Sequence, residues 1–280
     1  MSIQPDKIMA IPTLDVGDQN SNLVEICKYL KRYGYLPAKY RLREQRLDKE
    51  LSAAIRSFQV LTGLMKRGSG KTSLPTRRLM VKKRCGSPHT VVDKRKRPKG
   101  PLRAYSAEVS EVGWDHRRLT YKFGSCELVT RYGLATVEEA KSAVLSAFDS
   151  WQSAGVGLQF SESSDQPEMT FEWYDAINDP ECETFGCQLS DLDHAHADYP
   201  PPNTQFYGVP LPIHFNAGER WGIRQEAFAF DIETIALHEI GHCLGLFHGP
   251  GDVMKEFRQE GEIVRIIDPI TSSRLRRLYP

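Results

Sequence analysis

Residues 238–248 read HEIGHCLGLFH, and this stretch restricts the fold more than any other. In a helix, His242 follows His238 by one turn, on nearly the same face. Two imidazoles at that spacing can grip one metal ion, and zinc suits them. Glu239 lies about a quarter turn round, within reach of a water on that ion. Gly245 lets the chain leave the helix with φ > 0 and fold back, which brings His248 in from below as a third ligand. Three neutral imidazoles leave one zinc position open, the pattern of a catalytic site rather than a closed structural one. Zinc lowers the pKa of a water there to about 7, and Glu239 is placed to take its proton as general base. HExxH alone arises by chance. HExxHxxGxxH fixes five positions at once, and a metal-free, histidine-rich core helix is the weaker reading.

The motif resembles that of the metzincin metalloproteases, whose other hallmark is a methionine turn beneath the zinc. Met254, in Gly251-Asp252-Val253-Met254, is the candidate, six residues after His248. Its alternative is a flexible core filler.

Length and charge bound what else the chain can be. At 280 residues there is room for about two domains. The 37 Lys+Arg and 36 Asp+Glu nearly cancel, so no global field favours nucleic acid or a membrane surface. No apolar run has the length of a membrane-spanning helix. The first residues, MSIQPDKIMAIPTLDVGDQNS, have neither a basic n-region nor a long apolar h-region, so no secretory signal is visible. Six cysteines are too few for a disulfide scaffold. Cys182 and Cys187 either close a small loop in an oxidising compartment or stay as two thiols. Cys27 and Cys243 read as small core residues, and Cys126 has no evident partner.

After a tail over residues 1–19, helical spacing recurs. Leu23, Ile26, Cys27, Leu30 and Tyr33 mark one helix over 22–36, and Leu51, Ile55 and Phe58 a second over 48–61. A third runs from Thr76 to Lys82. Together they define a small helical domain over 20–83. YLKRYGYL (29–36), LSAAIRSFQ (51–59), Thr76 and Met80 make this stretch resemble the peptidoglycan-binding-like propeptide of matrix metalloproteinases. Residues 84–89 then look like the cysteine-switch motif of matrixin proenzymes, usually PRCGxPD. Arg84, Cys85, Gly86 and Pro88 match, Lys83 replaces Pro, and His89 replaces Asp. The resemblance implies that Cys85 is an inhibitory zinc ligand in a latent form. It also implies looser latency, because the Asp that pairs with the arginine is missing. A surface cysteine in a turn is the alternative. A linker over 90–103 holds KRKRPKGPLR (94–103), a hinge, an activation site or a nuclear-localisation-like patch.

The remainder, 104–280, reads as the catalytic domain. Arg118–Phe123 alternates as a strand. Val137, Ala140, Val144, Phe148 and Trp151 mark a long helix. Leu158 with Phe160, then Met169, Phe171 and Trp173, then Ile213 with Phe215 mark further strands. The zinc helix runs from about Asp231 to Leu244, and a closing helix from Arg274 to Tyr279. The fold class expected is α+β, a twisted mixed sheet packed on helices. The order matches the matrixin catalytic fold.

A second histidine cluster lies in DLDHAHADYPP and LPIHFNAGERW. By resemblance, His196 and His214 would hold a structural zinc, and Asn216 and Glu219 would sit at calcium positions. The family's His-Gly-Asp segment is absent, and Asp193, His194 or Asp175 are the candidates to replace it.

The resemblance implies a zinc-dependent endopeptidase, made as a proenzyme, acting on protein or peptide substrates outside the cell as a monomer. The alternatives are a non-catalytic binding protein on the same fold and an intracellular zinc peptidase. An intact general base argues against the first, while the missing signal and the basic patch argue for the second.

Overall fold

The computed structural model describes residues 3–88, 110–175, 189–204 and 208–280. His89, the basic linker, Cys182 and Cys187 lie outside these described residues. The chain divides into two compact units, one of Met1–Lys82 with Pro88–Val109, the other of Lys83–Ser87 with Ser110–Pro280.

The first unit is helical: α1 (Pro5–Met9), α2 (Leu23–Arg32), α3 (Lys49–Leu61) and α4 (Leu74–Met80). Asp48 starts α3 by accepting from the Leu51 amide. The apolar faces expected from spacing meet in its core, where Leu23, Ile26, Leu30, Leu51, Ile55, Phe58 and Met80 are buried. Tyr29 and Tyr35 pack edge-on against Phe58 at 5.6 and 5.3 Å. Residues 3–14, expected as tail, are folded into this unit. Ile8, Ile11 and Leu14 are buried, the Leu14 amide donates to Thr72 Oγ1, and Arg77 donates to the Met9 carbonyl.

The second unit is built on a six-stranded sheet. Its strands are β1 (Arg84–Cys85), β2 (Arg118–Phe123), β3 (Gln159–Glu162), β4 (Met169–Tyr174), β5 (Asp193–Ala197) and β6 (Leu211–Asn216). Their spatial order is β1-β5-β6-β4-β2-β3. Only the β5–β6 pair is antiparallel, so the sheet is mixed, as expected. A two-stranded piece, β7 (Trp221–Gly222) with β8 (Phe230–Asp231), leads into the zinc-motif helix.

Two helices, α5 (Val137–Gln152) and α6 (Ile232–Cys243), pack on this sheet, and α7 (Pro269–Leu278) closes the chain. Thr136 and Glu139 form a capping box at the start of α5. Phe148 stacks on Tyr121 at 4.5 Å and meets Phe171 edge-on. On the same helix, Trp151 Nε1 donates to the Leu237 carbonyl at 3.0 Å, fixing α6 against α5. The far end of α6 is pinned by Trp114 Nε1 on the Cys243 carbonyl and by the Tyr279 hydroxyl on the Leu244 carbonyl. Among the described residues, no helix is long and apolar enough to cross a membrane.

Candidate metal centre

The α6 helix begins where Asp231 accepts from the Thr234 amide, and it carries His238, Glu239 and His242, all fully buried. Gly245 ends it at φ +99°, and a Cβ there would come within 2.2 Å of the Val112 carbonyl oxygen. Only glycine meets both demands. The chain then reverses, and His248 Nε2 arrives 3.3 Å from His238 Nε2 and 3.2 Å from His242 Nε2, which are themselves 3.1 Å apart. Met254 is fully buried under this turn. Its sulfur lies so close to α6 that a Cβ on Gly241 would approach it to 2.6 Å.

The outer ring nitrogens decide the tautomers. His238 Nδ1 donates to the Val253 carbonyl and His242 Nδ1 to the Leu246 carbonyl, each at 2.7 Å. Burial, then the His242 charge, holds His238 well below the usual imidazole range, so it is neutral. His238 Nε2 therefore presents a lone pair inward, toward His242 Nε2 and His248 Nε2. Three ring nitrogens converging on one point are placed to share a cation. The donor set fits zinc, with the Val253 and Leu246 carbonyls aiming two of its ligands.

Cys85 completes the group. It and the three histidines form a cluster whose ligand atoms all lie within 4.8 Å of one another. The thiol donates to Glu239 Oε2 and lies against His242 Nε2, each at 3.5 Å. Glu239 Oε1 has no hydrogen-bond partner among the described residues. Burial pushes this carboxyl up to about 8 and, together with the Glu239 charge, lifts the Cys85 thiol well above its usual range. A divalent cation inverts that pressure, favouring thiolate and carboxylate.

Strand β1 was not anticipated. It runs parallel to β5, with the Arg84 amide donating to the Leu192 carbonyl and the Gly86 amide to the Ala195 carbonyl. On its other side, the Cys85 amide donates to the Glu256 carbonyl at 2.7 Å. The expected loss of a counter-charge for Arg84 is corrected by the structure: Arg84 Nη2 donates to Glu256 Oε2 at 2.9 Å, and both side chains are buried. Glu256 follows Met254 by two positions, and no periodicity or motif marks it as a partner for a residue so distant in sequence. Tyr199, edge-on to the His242 ring at 5.2 Å, was missed for the same reason.

The second cluster is brought together in part. His196 Nε2 and His214 Nδ1 lie 3.1 Å apart, and His214 Nε2 is 3.3 Å from Glu172 Oε2, a neighbour not foreseen. The proposed substitutes make other contacts. Asp193 accepts from Ser190, Asp175 pairs with Arg131, and His194 is buried against Phe230. The Glu219 amide donates to the Asn216 carbonyl at 3.0 Å. Asn216 accepts from the Gly218 amide and donates to the Asp193 carbonyl, while Glu219 is paired with Lys83.

Among known proteins, Metalloendoproteinase 2-MMP of Arabidopsis thaliana is 28% identical over 258 residues, 83% of this chain and 63% of that protein. Matrix metalloproteinase-16 of Homo sapiens is 28% identical over 240 residues, 82% of this chain and 37% of its own length. Metalloendoproteinase 1 of Glycine max is 26% identical over 246 residues, 84% of this chain and 74% of that protein. The chain thus spans less than two thirds of the Arabidopsis relative's length. A family profile described as Matrixin matches residues 113–266, a span that opens just before β2 and takes in β2 to β8, α5, α6, the three histidines of the cluster and Met254. That profile covers more than half of the 280 residues, and the chain belongs to the matrixin family.

Proposed function

We propose that this chain is a zinc-dependent endopeptidase held latent by Cys85. The observation that carries the reading is the convergence of three imidazole Nε2 atoms at 3.1–3.3 Å beside the buried carboxylate of Glu239. His238, His242 and His248 would hold the zinc. When bound, zinc supplies a Lewis acid that polarises a carbonyl and acidifies water. Glu239 takes a proton from the attacking water at Oε1 or Oε2 and later passes it to the leaving amine. In the latent chain Cys85 engages that carboxylate, so the base and the thiol cannot both serve. Tyr199 packs edge-on against the His242 ring.

Substrate would bind as an extended strand. The carbonyls of Leu192, Ala195 and Glu256, which now receive the 84–86 amides, are the groups a peptide could use once that segment leaves. The 20–83 prodomain, the 84–89 switch and the 104–280 catalytic domain are the functional division we propose. His196 and His214 are the residues proposed for a second, weaker zinc. Calcium at Asn216 and Glu219 would first require Lys83 to leave Glu219. Action outside the cell is proposed from the family likeness, and fractionation of cells against medium tests it.

The deciding experiment is Glu239→Ala in the zinc-loaded chain freed of the thiol by Cys85→Ser, with casein as substrate. Zinc should be retained and turnover should fall at least ~10²-fold, the scale of a general base. Undiminished turnover would remove Glu239 from the mechanism.

A further inference from the structure

We propose that Glu256 and Phe257 form an arginine-binding subsite beside the metal centre. Arg84 fills it in the latent chain, and an arginine flanking the scissile bond of a substrate fills it once the 83–87 segment has left. This rests on the protease reading above and names a substrate class for it.

The subsite is visible because Arg84 occupies it. The Arg84 side chain is fully buried, although arginine is rarely so. Its Nη2 donates to Glu256 Oε2 at 2.9 Å, its Nε to the Cys85 carbonyl at 3.1 Å, and its guanidinium carbon lies 5.2 Å from the centre of the Phe257 ring. A carboxylate beside an aromatic face is a matched receptor for a planar cation. Lysine, a compact and strongly hydrated charge, gains less from the ring.

The same two residues also read the backbone. The Glu256 carbonyl accepts the Cys85 amide, and Phe257 bridges Arg84 in antiparallel fashion. Side-chain recognition and strand recognition are thus built from one short segment. Because Cys85 faces the histidines, the guanidinium site lies one residue away from the reacting centre.

Removal of Arg84 leaves a buried carboxylate that has lost its guanidinium, an unfavourable state that draws in another cation. Among the described residues, Arg258 and Lys255 have other carboxylate partners. Arg258 pairs with Glu262 at 2.8 Å and donates to the Val253 carbonyl at 3.1 Å. Lys255 is exposed and pairs with Asp252 at 2.8 Å. His248 Nδ1 stands 3.9 Å from Glu256 Oε2, beyond hydrogen-bond reach. A substrate arginine is the replacement that also recovers the Phe257 contact.

The test uses the full-length, zinc-loaded chain carrying Arg84→Ala and Cys85→Ser, which vacates the subsite. The peptide Lys-Lys-Arg-Ser-Gly-Ser-Pro, its ends blocked, is titrated calorimetrically against the same peptide with Gln in place of Arg. The arginine peptide should bind at least ~10-fold more tightly, and adding Glu256→Gln should erase the difference. Phe257→Leu, a milder change, should reduce it if the Glu256 variant does not fold. Equal binding of the two peptides overturns the proposal. A second arm compares kcat/KM for matched substrates with Arg or Gln beside the cut. A ratio near ~10 that collapses in Glu256→Gln supports the subsite. Efficient cleavage with no preference for Arg overturns it and leaves the protease standing. Arginine-selective binding without cleavage of any peptide overturns the protease and leaves the subsite.

Discussion

Gly245 meets two separate demands, a backbone at φ +99° and a carbonyl oxygen, from Val112, that leaves no space for a Cβ. The first alone costs a non-glycine residue about 1–3 kcal/mol. Gly245→Ala should therefore lose at least ~2 kcal/mol in urea unfolding. It should also release zinc more readily, because the reversal that delivers His248 is disturbed. Stability within ~0.5 kcal/mol of the parent would mean that residues 110–113 shift freely. This position was legible in the sequence, since its role follows from chain geometry over four residues. Glu256 was not. Its function depends on a partner brought in by sheet pairing, and a single glutamate in a loop carries no local sign of that. The same holds for Lys83, whose ammonium pairs with Glu219 where resemblance alone suggested calcium.

Elements with strong periodicity stand where spacing put them: α5 was expected from its apolar face and runs Val137–Gln152. The misses have physical reasons. α7 starts at Pro269, five residues before the expected start, because Asp268 caps it and Pro fits the first turn. The apolar pattern there is weak, so the cap was the better signal. β5 escaped notice because DHAHA does not alternate apolar with polar, yet all five residues are buried. Asp268 joins two elements, accepting from the Ile270 and Thr271 amides of α7 and from the Val253 amide beside Met254. Asp268→Ala should cost about 1–2 kcal/mol by chemical denaturation. Burial works to raise the Asp268 carboxyl, but hydrogen bonds from Thr271, Val253 and Ile270 win and hold it below its ordinary value. A group depressed in the folded state stabilises above its unfolded pKa of about 3.9 and loses that contribution as pH falls through the folded value. The gap between parent and Asp268→Ala should therefore be full at pH 7 and close in acid below about pH 4. A gap that persists at pH 2 would assign the loss to packing.

At the scale of the whole molecule, three successive residues each meet a different glutamate: Lys83 meets Glu219, Arg84 meets Glu256, and Cys85 meets Glu239. Each link raises the effective concentration of the next, so the segment should leave as a unit. Breaking one partner of a buried ion pair costs on the order of 3–5 kcal/mol. Arg84→Gln should accordingly speed labelling of Cys85 by a thiol reagent at least ~10-fold in the full chain, with the linker uncut. Labelling at the parent rate would show that Arg84 does not hold the segment. The Arg84–Glu256 link joins positions 172 residues apart, and this bears on descent. A counter-charge carried within the switch loop travels with it through any recombination. Here the two halves of the pair are written far apart in the gene, so they can be inherited separately but work only together.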